Sequence, residues 1–300
     1  MNEIIVIAGP TASGKTNASV SIAKELDTEI VSADSMQVYK YMNIGTAKVM
    51  KDEMKGVKHH MLDIIEPFET YNVNDYTIDA NKCIDEIIKK GKTPVICGGT
   101  GLYINSVIYN FNLTEAVSSP GLREELTELY NEKGGEYLLS ELRKFDPETA
   151  DRLHPNNARR IIRAIEMYKT SGITMSEQIR ITNASKDKYN LKFFCLNMDR
   201  KRLYERIDKR VDIMLENSLL GEVDMLIKMG VPKNSTAMQA IGYKELVRYI
   251  DGEITFDSAV EMIKQESRRY AKRQLTWFRR DSNIKWIDTE TEDVLKTILG

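Results

Sequence analysis

The chain has 300 residues, 42% of them hydrophobic, with 43 Lys and Arg against 45 Asp and Glu, so its formal net charge is −2. That length fits one large domain or two smaller ones. No run approaches the ~18 apolar residues that span a bilayer, Met1-Asn2-Glu3-Ile4 has no signal-peptide character, and the three scattered cysteines (Cys83, Cys97, Cys195) exclude a disulfide scaffold, so a cytoplasmic protein without a membrane partner is expected.

The chain opens with Ile4-Ile5-Val6-Ile7-Ala8, which is β-branched and too short for a helix, so it reads as a buried strand. A glycine-rich turn follows, then a helical stretch over 15–26 and a second strand over 29–33. Strand, loop, helix and strand in that order make a βαβ unit and predict a parallel sheet covered by helices. Residues 35–72 read as irregular. A helix over 74–90, closed by Gly91, delivers a strand over 93–97 that ends in Gly98-Gly99-Thr100-Gly101. Paired glycines after a buried strand indicate backbone that something must approach closely.

From residue 114 to about 187 no strand is expected. Helices are predicted over 121–133, 136–144, 147–153 and 156–171, punctuated by Asp146-Pro147 and His154-Pro155. Asn183-Ala184-Ser185-Lys186-Asp187 reads as a polar linker, and a strand resumes at Phe193–Met198. Helices over 200–229, 235–250 and 256–280 complete the chain. The expected fold is α/β: a P-loop NTPase-like core with a parallel sheet flanked by helices, plus an all-helical insertion domain. The core would occupy 1–113 and 189–300, and the insertion 114–188.

Gly9-Pro10-Thr11-Ala12-Ser13-Gly14-Lys15-Thr16 fits G-x-x-x-x-G-K-[ST], after a strand and before a helix. Such a loop turns its backbone N–H groups onto phosphate oxygens, and the helix N-terminus adds a positive dipole end. Lys15 supplies a point charge, and the Thr16 hydroxyl is placed to ligate Mg²⁺. The motif specifies a polyphosphate, most commonly a nucleoside triphosphate such as ATP, but equally a diphosphate that leaves. Asp34-Ser35 follows the second strand, where a carboxylate points into the ligand crevice; it could serve Mg²⁺, act as a general base, or cap a turn. Thr100 stands at the same sheet edge, where it could bind an acceptor, orient Asp34 or close a turn. Arg202, Arg206 and Arg210 share one helix face, either as a solvated ion-paired face or as a clamp on departing phosphate. His59-His60 is a poor metal site, because adjacent side chains diverge and His154 is the one other histidine.

The near-neutral total hides a polarised chain. Residues 152–169 hold five basic side chains against one acid, residues 200–210 six against two, and residues 264–280 seven against one, with Tyr270, Trp277 and Phe278 interleaved. Such clusters suit a phosphate backbone and unpaired bases.

At this point the chain resembles a known family, the bacterial-type tRNA dimethylallyltransferases. The resemblance rests on Gly9–Thr16, on Asp34-Ser35-Met36-Gln37-Val38-Tyr39 with Asn43–Lys48, on His59–Asp63, on Gly98–Tyr103, on His154-Pro155-Asn156 with Arg159-Arg160, and on Ile241–Glu245. It implies transfer of the dimethylallyl group of dimethylallyl diphosphate to the exocyclic amine of the adenosine 3′ of the anticodon, in tRNAs reading codons that begin with U. Pyrophosphate leaves. By the family pattern Asp34 is the base, Thr100 positions the acceptor, and Lys15, Thr16, Mg²⁺ and one or both of Arg206 and Arg210 offset the charge of the diphosphate. The P-loop would hold the donor. Asp34, Ser35, Met36, Gln37, Thr100, Arg123, Arg159, Arg160, Ile161, Ile162 and Arg163 match tRNA-contacting segments. The target adenine must leave its stack to reach a buried donor. The partner is then the anticodon stem-loop, and a monomer is expected. The competing functions are a P-loop nucleoside or metabolite kinase, a nucleotide-switched RNA-binding module, and prenyl transfer to free adenine nucleotides.

Overall fold

A computed structural model describes residues 1–109, 119–184 and 188–300. The chain forms two compact units, Met1–Ile108 with Tyr189–Gly300, and Tyr109–Lys188. The first begins with β1 (Glu3–Ala8), α1 (Lys15–Glu25), β2 (Ile30–Ala33), α2 (Lys51–Met54), β3 (His59–His60), α3 (Val73–Lys89), β4 (Val95–Gly98) and α4 (Gly101–Ile108). The second holds α5 (Pro120–Arg143), α6 (Pro147–Arg152), α7 (Ala158–Ser171) and α8 (Met175–Ala184). The first then resumes with β5 (Asn190–Asn197), α9 (Arg200–Glu216), α10 (Leu219–Lys228), α11 (Tyr243–Ile250), α12 (Phe256–Phe278), β6 (Lys285–Asp288) and α13 (Val294–Leu299).

Six strands form one sheet in the order β3-β2-β4-β1-β5-β6, and every pair is parallel. The central β1 is buried from Ile4 to Ala8, as a strand covered on both faces must be. One face packs against α1 and α13 through Ile5, Ile7, Val20, Ile22, Phe194, Leu196 and Ile298. A separate core joins Val38, Tyr39 and Met42 to Leu219, Val223, Leu246 and Ile263. The register places Ala8 and Ala33 both opposite Gly98, so β1, β2 and β4 end at one level. Their three following loops therefore open on one edge of the sheet.

The helical unit has its own core of Leu126, Leu138, Leu139, Leu142, Ile161, Ile162 and Ile165. Its first helix runs through residues expected as two; Gly134, at φ 79° and ψ 170°, is the kink between them. Helix α8 was not foreseen, and Asn183 and Ala184 end it rather than begin a linker. Ser185–Asp187, and the expected boundary at 113, lie outside the described residues. Other differences are in the first unit. The segment 35–72 contains α2 and the edge strand β3, which pairs Ile30 with His59 and Val31 with His60. The expected helix over 200–229 is two, broken at Ser218 with φ 69°. Residues 235–242 are turns, and α11 starts only at Tyr243. Strand β6 and helices α4 and α13 escaped the periodicity.

Candidate active site

The loop after β1 curls back over the start of α1. Gly14, at φ 91°, caps that helix in the left-handed region that a side chain disfavours, and Ala12 is held there too at φ 63°. The Lys15 ammonium donates to the Pro10 carbonyl at 2.6 Å, so it lies across its own loop. Burial is the chief cause bringing its pKa down to about 8; Cys97 and Asp34 oppose that and Arg210 reinforces it.

Asp34 leaves β2 directly. Its Oδ1 accepts from Met36 N–H at 2.9 Å and Gln37 N–H at 3.3 Å, which closes a tight turn. Among the described residues no hydrogen bond engages Oδ2. Thr100 does not bond Asp34; its Oγ1 accepts from the next residue's amide, Ser35 N–H, at 3.1 Å. It thus braces the turn that presents the carboxylate. The Thr100 amide donates to the Ala33 carbonyl at 3.1 Å and ties the same two strand ends together.

These loops line a cavity of about 480 Å³. Thr11, Lys15, Thr16, Asp34, Ser35, Met36, Gln37 and Arg210 all reach it. Arg210 also donates to the Ala47 carbonyl, and burial lowers its pKa while Asp34 raises it. Ile207, Val211, Met214, Ile241 and Ile263 line the same cavity. It therefore offers charged and apolar side chains together. Gly9, Pro10, Ala12, Ser13 and Gly14 shape the loop without lining it. The two candidate arginines separate: Arg206 is exposed and borders a different depression with Arg202, Lys209 and Glu290.

Residues distant in sequence also build the surroundings of the cavity. Gln37 donates to the Thr46 and Ala47 carbonyls and holds that segment as a wall. Glu222, buried, accepts from the amides of Asn43, Ile44 and Gly45 and from the Tyr243 hydroxyl. Gln274 lies between the P-loop and the Gly99 loop. The Tyr270 hydroxyl faces Thr100 and Gln274; burial is the main cause that pushes it up to about 12, and Asp34 adds to this. A helical spacing of three and four along Ile263, Ser267, Tyr270, Gln274 and Trp277 was the available signal, and the basic residues between them masked it.

In the helical unit, Arg123 and Arg163 both bind Glu166 Oε2, at 2.7 and 3.0 Å. Ile161 and Ile162 are core residues, so their side chains correct the expectation that this whole run meets RNA. Arg159 and Arg160 are exposed and carry no ion pair among the described residues.

For Mg²⁺ the donor set is spare. Among the described residues no three His, Cys, Asp or Glu side chains gather as a metal site. The cavity does offer the Thr16 hydroxyl and the Asp34 carboxylate. One or two protein oxygens, completed by phosphate and water, fit how Mg²⁺ is bound.

Sheet, glycine loop and crevice together are those of a P-loop α/β protein. The family is narrower than that class. A family model described as IPP transferase matches residues 37–281, and the chain belongs to that family. The tRNA dimethylallyltransferase of Carboxydothermus hydrogenoformans is 50% identical over 98% of this chain and 94% of its own. That of Acetivibrio thermocellus is 47% identical over 98% and 94%. Among solved structures, the tRNA isopentenylpyrophosphate transferase of Bacillus halodurans superposes with a TM-score of 0.74 at 44% identity, covering 100% of this chain and 94% of its own. A eukaryotic dimethylallyltransferase described as acting on tRNA gives 0.80 at 28% identity, covering 96% and 74%.

Proposed function

We propose that the protein transfers the dimethylallyl group of dimethylallyl diphosphate to the exocyclic amine of the adenosine 3′-adjacent to the anticodon, in tRNAs reading codons that begin with U. The observation that carries this is the mixed lining of the cavity: Lys15, Thr16, Asp34 and Arg210 share it with Ile207, Val211, Met214, Ile241 and Ile263. A diphosphate bearing a short apolar tail needs both kinds of side chain.

The reaction follows from these residues. The bond between the allylic carbon and the diphosphate oxygen breaks, and a bond from that carbon to the adenine nitrogen forms. The nitrogen is a poor nucleophile because its lone pair is delocalised, so Asp34 takes its proton as the new bond forms. Lys15 and Arg210 stabilise the charge gathering on the departing pyrophosphate. Mg²⁺ held through Thr16 would offset part of the same charge. The apolar side chains of the lining keep water from the allylic carbon. The exposed Arg159 and Arg160 hold the anticodon stem-loop, and the adenosine flips into the cavity. The enzyme acts as a cytoplasmic monomer; among the described residues no helix is long and apolar enough to cross a membrane.

Labelled dimethylallyl diphosphate, incubated with unmodified tRNA, with AMP and with neither, tests the assignment. Label should pass to tRNA alone. Label on AMP would move the activity to free nucleotides. ATP turnover without any prenyl transfer would replace it with a kinase or a nucleotide switch.

A further inference from the structure

Gln274 sits on α12 and is buried, with 6% of its surface exposed. Both ends of its amide are engaged. Its Oε1 accepts from Thr11 N–H, in the P-loop, at 2.9 Å. Its Nε2 donates to the Gly99 carbonyl at 3.0 Å. The two partners fix the orientation, because the opposite one would set donor against donor and acceptor against acceptor.

The contact is close enough to have shaped the loop beneath it. A Cβ on Gly99 would lie 2.1 Å from Gln274 Nε2, so a side chain there would displace the amide. One turn further along α12, a Cβ on Gly101 would lie 2.2 Å from Trp277 Cδ1. One turn back, Tyr270 faces Thr100. A single helix face therefore spans the diphosphate loop on one side and, on the other, the loop whose Thr100 braces the Asp34 turn. No other hydrogen bond among those described joins Thr11 to Gly99.

We propose that Gln274 is a positioning residue that sets the separation between the donor's diphosphate loop and the Gly99 loop, whose Thr100 braces the Asp34 turn. It links the P-loop and the Gly99 loop through one amide, both ends of which those loops engage. In-line transfer depends on that separation, and a misplacement of about 1 Å costs ~10²-fold in rate. The inference rests on the prenyl-transfer function proposed above.

The test uses full-length wild type, Gln274→Ala and Gln274→Glu with labelled dimethylallyl diphosphate and tRNA. Gln274→Ala should lose ~10²-fold in kcat while both KM values stay within about three-fold, the pattern of a transition-state defect. Gln274→Glu supplies a readout that simple loss of fold would not move. Its carboxylate accepts from Thr11 N–H but sets an oxygen against the Gly99 carbonyl; once protonated, it donates there as the amide does. Its rate relative to wild type should therefore rise as pH falls. Turnover by Gln274→Ala within about three-fold of wild type, or a Gln274→Glu ratio independent of pH, overturns the assignment. Wild type that transfers no label overturns the prenyl-transfer function itself, and this inference with it. Wild type that transfers while the variants match it overturns the inference alone.

Discussion

The two oxygens of the Asp34 carboxylate are held differently. Oδ1 closes the turn over Met36 and Gln37, and no hydrogen bond engages Oδ2 among the described residues. Asp34→Asn keeps an oxygen for the turn and removes the base. It should leave tRNA affinity and melting temperature near wild type and lower kcat by ~10²–10⁴-fold. Single-turnover rates at saturating tRNA check this, and a loss of only a few-fold would remove the base assignment. Lys15 gives a second prediction at this scale. With its pKa at about 8, the empty site loses the ammonium charge as pH rises past that value. Bound diphosphate restores it, so binding takes up a proton above pH ~8 and should weaken by about tenfold per pH unit there. Titrating inorganic pyrophosphate between pH 7 and 9.5 measures the slope, from which Lys15→Met should remove the contribution of about one proton, leaving that of the pyrophosphate itself.

Helices α5 and α7 meet over a charge that neither can bury alone. Glu166 is fully buried, and Arg123 from α5 and Arg163 from α7 share its Oε2. Burial is the largest influence and raises the carboxyl, but the two arginines outweigh it and hold the pKa below the ordinary 4.5. A depressed carboxylate stabilises fully above 4.5 and loses that contribution as pH falls through its folded value. Arg123→Ala with Arg163→Ala leaves an uncompensated buried charge and should cost about 3–5 kcal/mol at pH 7. The gap to wild type should narrow as pH falls, starting above 4.5, because burial without the arginines raises the stranded carboxyl and it protonates there. Chemical denaturation at pH 7 and pH 4 compares the two. Other features of the elements were legible only in part. Helices bounded by Pro147, Gly91 or Gly172 stood out because those residues break them. The edge strand at His59 and His60 is two residues long and offers no alternation to read. The break at Ser218 has no Gly or Pro to announce it, although that residue sits at positive φ.

At the scale of the molecule, the site divides by sequence distance. Lys15, Thr16, Asp34 and Thr100 stood out because each follows a strand end in a local motif. Gln274 reaches the P-loop across 263 residues, and Glu222 reaches Gly45 across 177, so no local pattern reveals either. Charge behaves likewise. The three basic stretches carry +14 of formal charge in 46 residues within a chain totalling −2. The fold spends part of that internally, pairing Arg268 with Asp208, Lys264 with Asp212, Arg269 with Glu266 and Arg202 with Glu290. What stays available to a phosphate backbone is the unpaired remainder, including Arg159, Arg160, Lys272 and Arg280. Arginines of one helix should therefore behave differently. Arg159→Ala with Arg160→Ala removes two exposed charges without stranding a partner. It should leave the melting temperature unchanged, weaken tRNA binding, and reduce the slope of log K against log salt by about two. Arg163→Ala should weaken the helical unit as well as the binding, because Glu166 loses one of its two arginines. Filter binding from 50 to 250 mM KCl, with thermal melts of each variant, separates the roles. A salt slope in the Arg159 and Arg160 variant equal to wild type would take the RNA contact off α7, whatever its sequence suggests.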